Sequence, residues 1–291
     1  MALNNKTCVV TGSTSGIGLA AAERLAGQGA RVIGVGRNPE RIDAALKRIK
    51  IAADAAGAPE PSFEQADLSS LGNTRALADQ LLKSLKSLDV LVNCAGVFTA
   101  RRTLTPEGLE TQFTVNHLAP FLLSTALLPS LSASPDGRVI VVSSASHRFG
   151  RIRWEDPFRR RGYTGLGAYG QSKLANVLFV RELARKLGPG ASITVFAVDP
   201  GLVDTDMGLK HGLSLSSLVW RIRRRGGTSP DGPAACIAVL AASPEIRGRS
   251  GAYWKDGREI RPSRRALDEG DARRLWDLSE EIIRTVSGQA L

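Results

Sequence analysis

Tyr169 and Lys173, in the run Tyr169-Gly170-Gln171-Ser172-Lys173, stand four residues apart and so fall on one helix face about a turn from each other. A free phenol has a pKa of about 10 and exchanges protons poorly at neutral pH, but a fixed cation beside it favours the phenolate. The spacing therefore offers acid/base chemistry at Tyr169, with its pKa drawn down toward neutrality by Lys173. A tyrosine and a lysine at this spacing are also common on plain surface helices, so the pair gains meaning only from its surroundings.

A second feature lies close to the N-terminus, where the first apolar run enters Thr11-Gly12-Ser13-Thr14-Ser15-Gly16-Ile17-Gly18 and helical periodicity follows. Glycines let such a turn tighten and let the backbone approach a pyrophosphate, whose charge is met by amides at the helix N-terminus. Gly12, Ser13, Thr14, Ser15, Gly16, Ile17 and Gly18 are thus candidate dinucleotide contacts. The next apolar run ends Val35-Gly36-Arg37-Asn38, with no carboxylate to accept from ribose hydroxyls. A guanidinium there can hold a 2′-phosphate that a carboxylate would repel, so NADP(H) is favoured over NAD(H). The plainer alternative makes Arg37 the solvated start of a helix.

These groups need a scaffold, and the sequence supplies one by alternating short β-branched runs with longer helical stretches, the pattern of βαβ units. Strands are expected at Thr7 to Thr11, Arg31 to Val35, Ser62 to Ala66, Val90 to Asn93, Arg138 to Ser143, Ser192 to Val198 and Ala252 to Trp254. Helices are expected at Gly16 to Gln28, Glu40 to Ala55, Leu71 to Lys86, Glu107 to Leu131, Ala168 to Leu187 and Pro230 to Ala242. The result is an α/β, doubly wound Rossmann-type fold: about seven parallel strands with helices on both faces, one domain over residues 1–291. A charged helix with an apolar stripe, Asp268 to Val286, is expected to pack back onto the body. Two insertions, Ser146 to Gly167 and Met207 to Gly227, follow strand C-terminal ends, where ligands bind in open sheets.

Composition narrows the function. Hydrophobic residues at 43% and charged residues at 23% are ordinary globular values. Cys8, Cys94 and Cys236 show no ligand or disulfide spacing, no spaced His/Asp/Glu set suggests a metal, and neither a signal core nor a membrane span is evident. A cytoplasmic, metal-free protein is expected. The net charge of +11 comes mostly from scattered arginine pairs and triples without interleaved aromatics, which argues against nucleic acid.

The motifs together resemble the short-chain dehydrogenase/reductase superfamily from Thr7 to about Val286. The glycine turn matches its nucleotide motif. Asp67 and Leu68 after the third strand would meet the adenine, and Asn93-Cys94-Ala95-Gly96 stands where the family has Asn-Asn-Ala-Gly, with Cys94 read as packing. The resemblance implies that Tyr169 donates a proton to a carbonyl oxygen and Ser144 hydrogen-bonds that oxygen, Ser143 being the alternative by one step of register. It implies that Lys173 holds the nicotinamide ribose and that Asn116, within Val115-Asn116-His117, anchors a water relaying protons from Lys173. Pro200 and Gly201 would turn against the nicotinamide, with Val203 and Thr205 near its carboxamide.

A longer Ser144 to Tyr169 segment than is usual in the family, with Ser144-Ala145-Ser146-His147, Arg181-Glu182-Leu183-Ala184 and Arg274-Leu275-Trp276, resembles the retinol-dehydrogenase-like and WW-domain-oxidoreductase-like branch. The implied activity is NADP(H)-dependent interconversion of a lipophilic aldehyde or ketone and its alcohol by hydride transfer. The alternative is a non-catalytic NADPH-binding sensor or scaffold. Leu213 to Arg225 reads as a substrate lid or as a helix making weak peripheral membrane contact. His147 is placed either at substrate or within its own loop, and homo-oligomerisation is compatible with the resemblance.

Overall fold

The computed structural model describes residues 2–201 and 229–287. Its strands are β1 (Thr7–Thr11), β2 (Arg31–Gly36), β3 (Ser62–Gln65), β4 (Val90–Asn93), β5 (Gly137–Val142), β6 (Ile193–Val198), β7 (Ala252–Lys255) and β8 (Arg258–Glu259). They form one sheet in the order β3-β2-β1-β4-β5-β6-β7-β8. β1 pairs in parallel with both β2 and β4, so the order reverses there and opens a crevice at the C-terminal ends of these strands. β5 and β6 are buried along their whole length, as their runs of Val, Ile, Phe and Ala require of strands covered on both faces.

The helices are α1 (Gly16–Ala26), α2 (Pro39–Ala55), α3 (Leu71–Ser84), α4 (Thr111–Phe113), α5 (Ala119–Ala126), α6 (Leu128–Ser132), α7 (Gly165–Leu187), α8 (Asp231–Ala242) and α9 (Glu269–Ser287). Leu19, Leu25, Ile49 and Ile237 of α1, α2 and α8 pack on one sheet face with Val10, Val92, Ile140 and Phe196. On the other face α3, α5, α7 and α9 join Leu91, Val139 and Val195. Full burial of each large side chain contributes about 1.5–3 kcal/mol, so both layers hold the sheet firmly beneath the crevice. α9 packs back as its stripe predicts, Trp276 lying 4.7 Å from the Phe121 ring centroid.

Two expectations need correction. The sheet has an eighth strand, antiparallel to β7, because Asp256 and Gly257 both take positive φ and turn the chain in an Asp-Gly hairpin. The single helix expected over Glu107 to Leu131 is broken instead. Leu104 and Glu110 form an isolated bridge, α4 follows, and Thr114–Leu118 make a π-turn in which the Ala119 N–H reaches back to the Thr114 carbonyl. Pro120 and Pro129 lie at the starts of α5 and α6, where a missing N–H is tolerated. The π-turn carries Asn116, and such turns recur at functional sites. The insertion at Met207 to Gly227, including Leu213 to Arg225, lies outside the described residues, as do Val203 and Thr205.

Candidate active site

A cleft of about 720 Å³ runs across the C-terminal ends of β1, β2, β4 and β5. At its centre Gly12 takes φ +69°, and a Cβ there would stand 2.8 Å from the Ala95 Cα, so only glycine lets the turns after β1 and β4 approach so closely. Thr11 joins the same turns, its hydroxyl accepting from the Cys94 and Ala95 amides at 3.0 and 3.1 Å. A side chain on Gly18 would collide with the Gly12 carbonyl oxygen, which fixes how α1 departs from the turn.

The protein's own residues suit a dinucleotide here. Asn38 and Ser70 cap α2 and α3 through their side chains, but Ser15 makes no such bond at α1. The amides of α1's first turn are left to face the cleft, whose wall includes Ser15, Gly16 and Ile17. Arg37 and Arg41 stand at the far end of the same wall. Arg37 pairs with Asp67 at 3.8 Å with both side chains half-exposed, a contact loose enough for the guanidinium to be redirected. Leu68, Ala95, Gly96 and Pro200 also line the cleft.

Not every expected contact lies on that wall. The Ser13 hydroxyl is buried and accepts from the Val35 amide at 3.0 Å, tying the glycine turn to β2. Asn93 donates to the Ser124 hydroxyl at 2.9 Å and holds β4 against α5. Both side chains are supports for the turns whose backbone faces the cleft. Burial pushes the Cys94 thiol up to about 12, which keeps it protonated and agrees with a packing role.

At the other end of the cleft, the N-cap hydroxyl of Thr164 accepts from the Gly167 amide and starts α7, which carries both Tyr169 and Lys173 into the wall. The two side chains are 7% and 3% exposed residues, so solvent hardly reaches either. The Lys173 ammonium lies 5.5 Å from the Tyr169 ring centroid and donates to the Val142 carbonyl at 2.9 Å. Of the two serines, Ser143 donates to the Lys173 backbone carbonyl at 2.7 Å and pins β5 to α7. Ser144 is the one that hydrogen-bonds the Tyr169 phenol.

The electrostatics differ from the sequence expectation. Burial pushes the Tyr169 phenol up to about 12 against the pull of the Ser144 bond, and burial draws the Lys173 ammonium down to about 8. Desolvation penalises both charged forms and outweighs the pull of a cation already engaged by a carbonyl. Tyr169 is therefore held as a neutral phenol with a proton to give.

Asn116 accepts from the Val97 amide at 2.7 Å and donates to the Val97 carbonyl and the Ser172 hydroxyl, both at 3.0 Å, binding the β4 turn to α7. His147 is buried within its own side of the fold and lines no part of the cleft. The Ser146 to Gly167 insertion is fastened to α7 by Gln171, which donates to the Pro157 carbonyl and accepts from the Arg153 amide and the Arg159 guanidinium. Sequence reasoning missed Gln171, though it stands inside the Tyr169 to Lys173 run, and Arg41, the exposed first-turn position of α2. Phe98, edge-on to Tyr169 at 5.8 Å, was missed as well.

The class follows from fold and site together: a doubly wound sheet with a dinucleotide cleft and a buried Tyr169/Lys173 pair with Ser144 hydrogen-bonded to the phenol, the arrangement of a nicotinamide-dependent oxidoreductase. The short chain dehydrogenase family profile matches residues 6–213, and the chain belongs to that family. It is similar to retinol dehydrogenase 14 of Mus musculus, 38% identical over 97% of this chain and 86% of the relative. It is also similar to dehydrogenase/reductase SDR family member 13 of Bos taurus, 39% identical over 96% of this chain and 74% of the relative. These likenesses place it in the retinol-dehydrogenase-like branch. Among solved structures, an uncharacterized protein from Mycobacterium paratuberculosis superposes with TM-score 0.74 at 33% identity, covering 97% of this chain and 94% of that one. A short chain dehydrogenase from Burkholderia cenocepacia in complex with NADP superposes with TM-score 0.68 at 30% identity, covering 88% and 97%. The protein is an oxidoreductase of the carbonyl/alcohol class.

Proposed function

We propose that the protein is an NADP(H)-dependent reductase of lipophilic aldehydes or ketones, running in reverse on the alcohols. The observation that carries this reading is the Ser144 hydrogen bond to a neutral, buried Tyr169 at the end of a cleft whose other end presents Arg37 and Arg41. A bound nicotinamide supplies or accepts the hydride. The chain's own residues do the rest.

Tyr169 donates its proton to the carbonyl oxygen, and the Ser144 hydroxyl hydrogen-bonds the same oxygen as negative charge develops. Lys173 holds the nicotinamide ribose and replaces the lost proton. Asn116 keeps its side chain as a brace, so a water relay from Lys173 would use the Asn116 backbone carbonyl, whose usual donor position four residues on is Pro120. Arg37, with Arg41 beside it, binds the 2′-phosphate, and the amides of α1 bind the pyrophosphate. Val97, Phe98, Leu104 and Val115 line the cleft near Tyr169 and favour an apolar substrate.

The test is a fluorescence titration with NADPH and NADH, followed by NADPH oxidation over a panel of aliphatic aldehydes, ketones and quinones. Tighter binding of NADPH and turnover that increases with chain length are expected. Equal affinity for the two nucleotides would remove Arg37 from the site, and no turnover of any carbonyl would favour a nucleotide sensor.

A further inference from the structure

Asp199, at the end of β6, is a buried acid that the mechanism above leaves without a part. It is 4% exposed, and one carboxylate oxygen accepts from two backbone amides, Ala145 at 3.1 Å and Gly201 at 3.0 Å. Ala145 follows Ser144, and Gly201 belongs to the Pro200-Gly201 turn on the cleft wall, so one carboxylate ties the two turns together. Its own amide donates to the Trp254 carbonyl at 2.8 Å, anchoring it to β7.

Behind it stands a second layer. The Tyr253 phenol hydrogen-bonds Asp199 and lies 3.3 Å from His147 Nδ1. His147 Nε2 faces the Ser263 amide at 3.0 Å, and because an amide can only donate, Nε2 carries no proton. The proton is on Nδ1, which donates to the Ser144 carbonyl at 2.8 Å. Burial draws the His147 pKa down and keeps this neutral tautomer. Asp199, Tyr253 and His147 thus hold Ser144 on both sides of its peptide.

We propose that Asp199 is a positioning residue: with Tyr253 and His147 it clamps the Ser144 turn to the Pro200-Gly201 turn and sets the negative field at Tyr169. The proposal rests on Tyr169 being the acid/base. The groups facing Tyr169 are the Ser144 hydroxyl from the turn after β5, Asp199 from the turn after β6, the Cys94 thiol from the turn after β4, Lys173 from α7 and Tyr253 from β7. Burial is the largest influence raising the phenol, and Asp199 is the foremost charge adding to it.

Asp199→Asn keeps an acceptor oxygen for both amides and removes the charge. The pH dependence of NADPH oxidation by nonanal is measured beside a 13C NMR titration of ring-labelled tyrosine, which the chain's three tyrosines make assignable. The Asn variant is expected to move the Tyr169 titration and the limb of the rate profile toward lower pH, by about one unit. Tyr253→Phe loosens the clamp and leaves the charge, so kcat should fall roughly tenfold with the limb unmoved. Tyr169 titrating alike in wild type and Asp199→Asn would overturn the proposal. If that variant does not fold, a Tyr253→Phe enzyme with kcat within about twofold of wild type does the same. Tyr169→Phe separates the two readings: turnover near the wild-type rate in it refutes the acid/base assignment, whereas its loss with an unmoved Asp199→Asn titration refutes the Asp199 proposal alone.

Discussion

At the N-terminal ends of the strands, Asp89 accepts from the Lys6 ammonium at 2.9 Å, the Thr7 amide at 2.8 Å and the Ser134 hydroxyl at 2.7 Å. Beside it Asp136 takes Arg138 at 2.7 Å and Arg247 at 2.9 Å. The cavity among them is only about 330 Å³. At the opposite end of the same sheet the cleft is about 720 Å³, α1 begins without a side-chain cap, and a phenol and an ammonium are buried with their charged forms disfavoured. Both ends bury polar groups. At the first the groups satisfy one another and hold strands together, and at the second several line an open cleft. A polar group in this fold is therefore informative by what it faces.

The contrast can be broken most sharply at Tyr169. Tyr169→Phe keeps the ring against Phe98 and removes the proton, so kcat should fall by at least about a thousandfold. NADPH affinity should stay within about twofold, as measured by nicotinamide fluorescence. Turnover near the wild-type rate would end the acid/base reading.

Asp89→Ala is the matching change at the other end. Three donors lose one buried acceptor, and the expected loss is about 2–3 kcal/mol of stability in chemical denaturation. Activity per folded molecule should not change. A fall in kcat/KM without a fall in stability would show that the two ends are not separable in this way. Arg37→Asp is smaller: it places a carboxylate where the 2′-phosphate is proposed to lie, so the NADPH Kd should rise about tenfold or more while NADH binds better. A cofactor ratio equal to that of wild type would mean that Arg41 decides the preference.

Much of this contrast could be read before any coordinates. Buried parallel strands announce themselves as runs such as Val139-Ile-Val-Val142, and the glycines of the first turn, Arg37, Tyr169 and Lys173 all fall on the cleft wall. Ser144 is preferred to Ser143 in the sequence through the family resemblance alone, because one step of strand register decides which hydroxyl meets Tyr169 and which meets the Lys173 carbonyl. The break in the helix after Glu107 had a signal in Pro120 and Pro129, and β8 had one in Asp256-Gly257. The direction of the Tyr169 shift had none. It depends on how much protein covers the phenol, which neighbours in sequence do not report, and the Asp199 clamp likewise joins positions from three strands.

The smallest effect concerns His117, which sits beside Asn116 but faces away from the cleft. Its ring packs among Phe113, Phe121 and Phe179, and Nε2 meets the Ser279 hydroxyl of α9 at 2.9 Å. Burial holds its pKa down at about 3, against about 6.5 in an unfolded chain. Between those values the unfolded chain binds a proton that the folded protein does not, so stability falls as pH is lowered from about 6.5 toward 3, by up to about 1.4 kcal/mol per unit. Above that window the group makes no difference. His117→Gln retains a donor for Ser279 and cannot titrate, so its stability should depend less steeply on pH between about 6 and 4 than wild type, with kcat at pH 7 unchanged. Equal slopes for the two proteins would mean that the aromatic cage admits the imidazolium, and water with it, despite the full burial of His117.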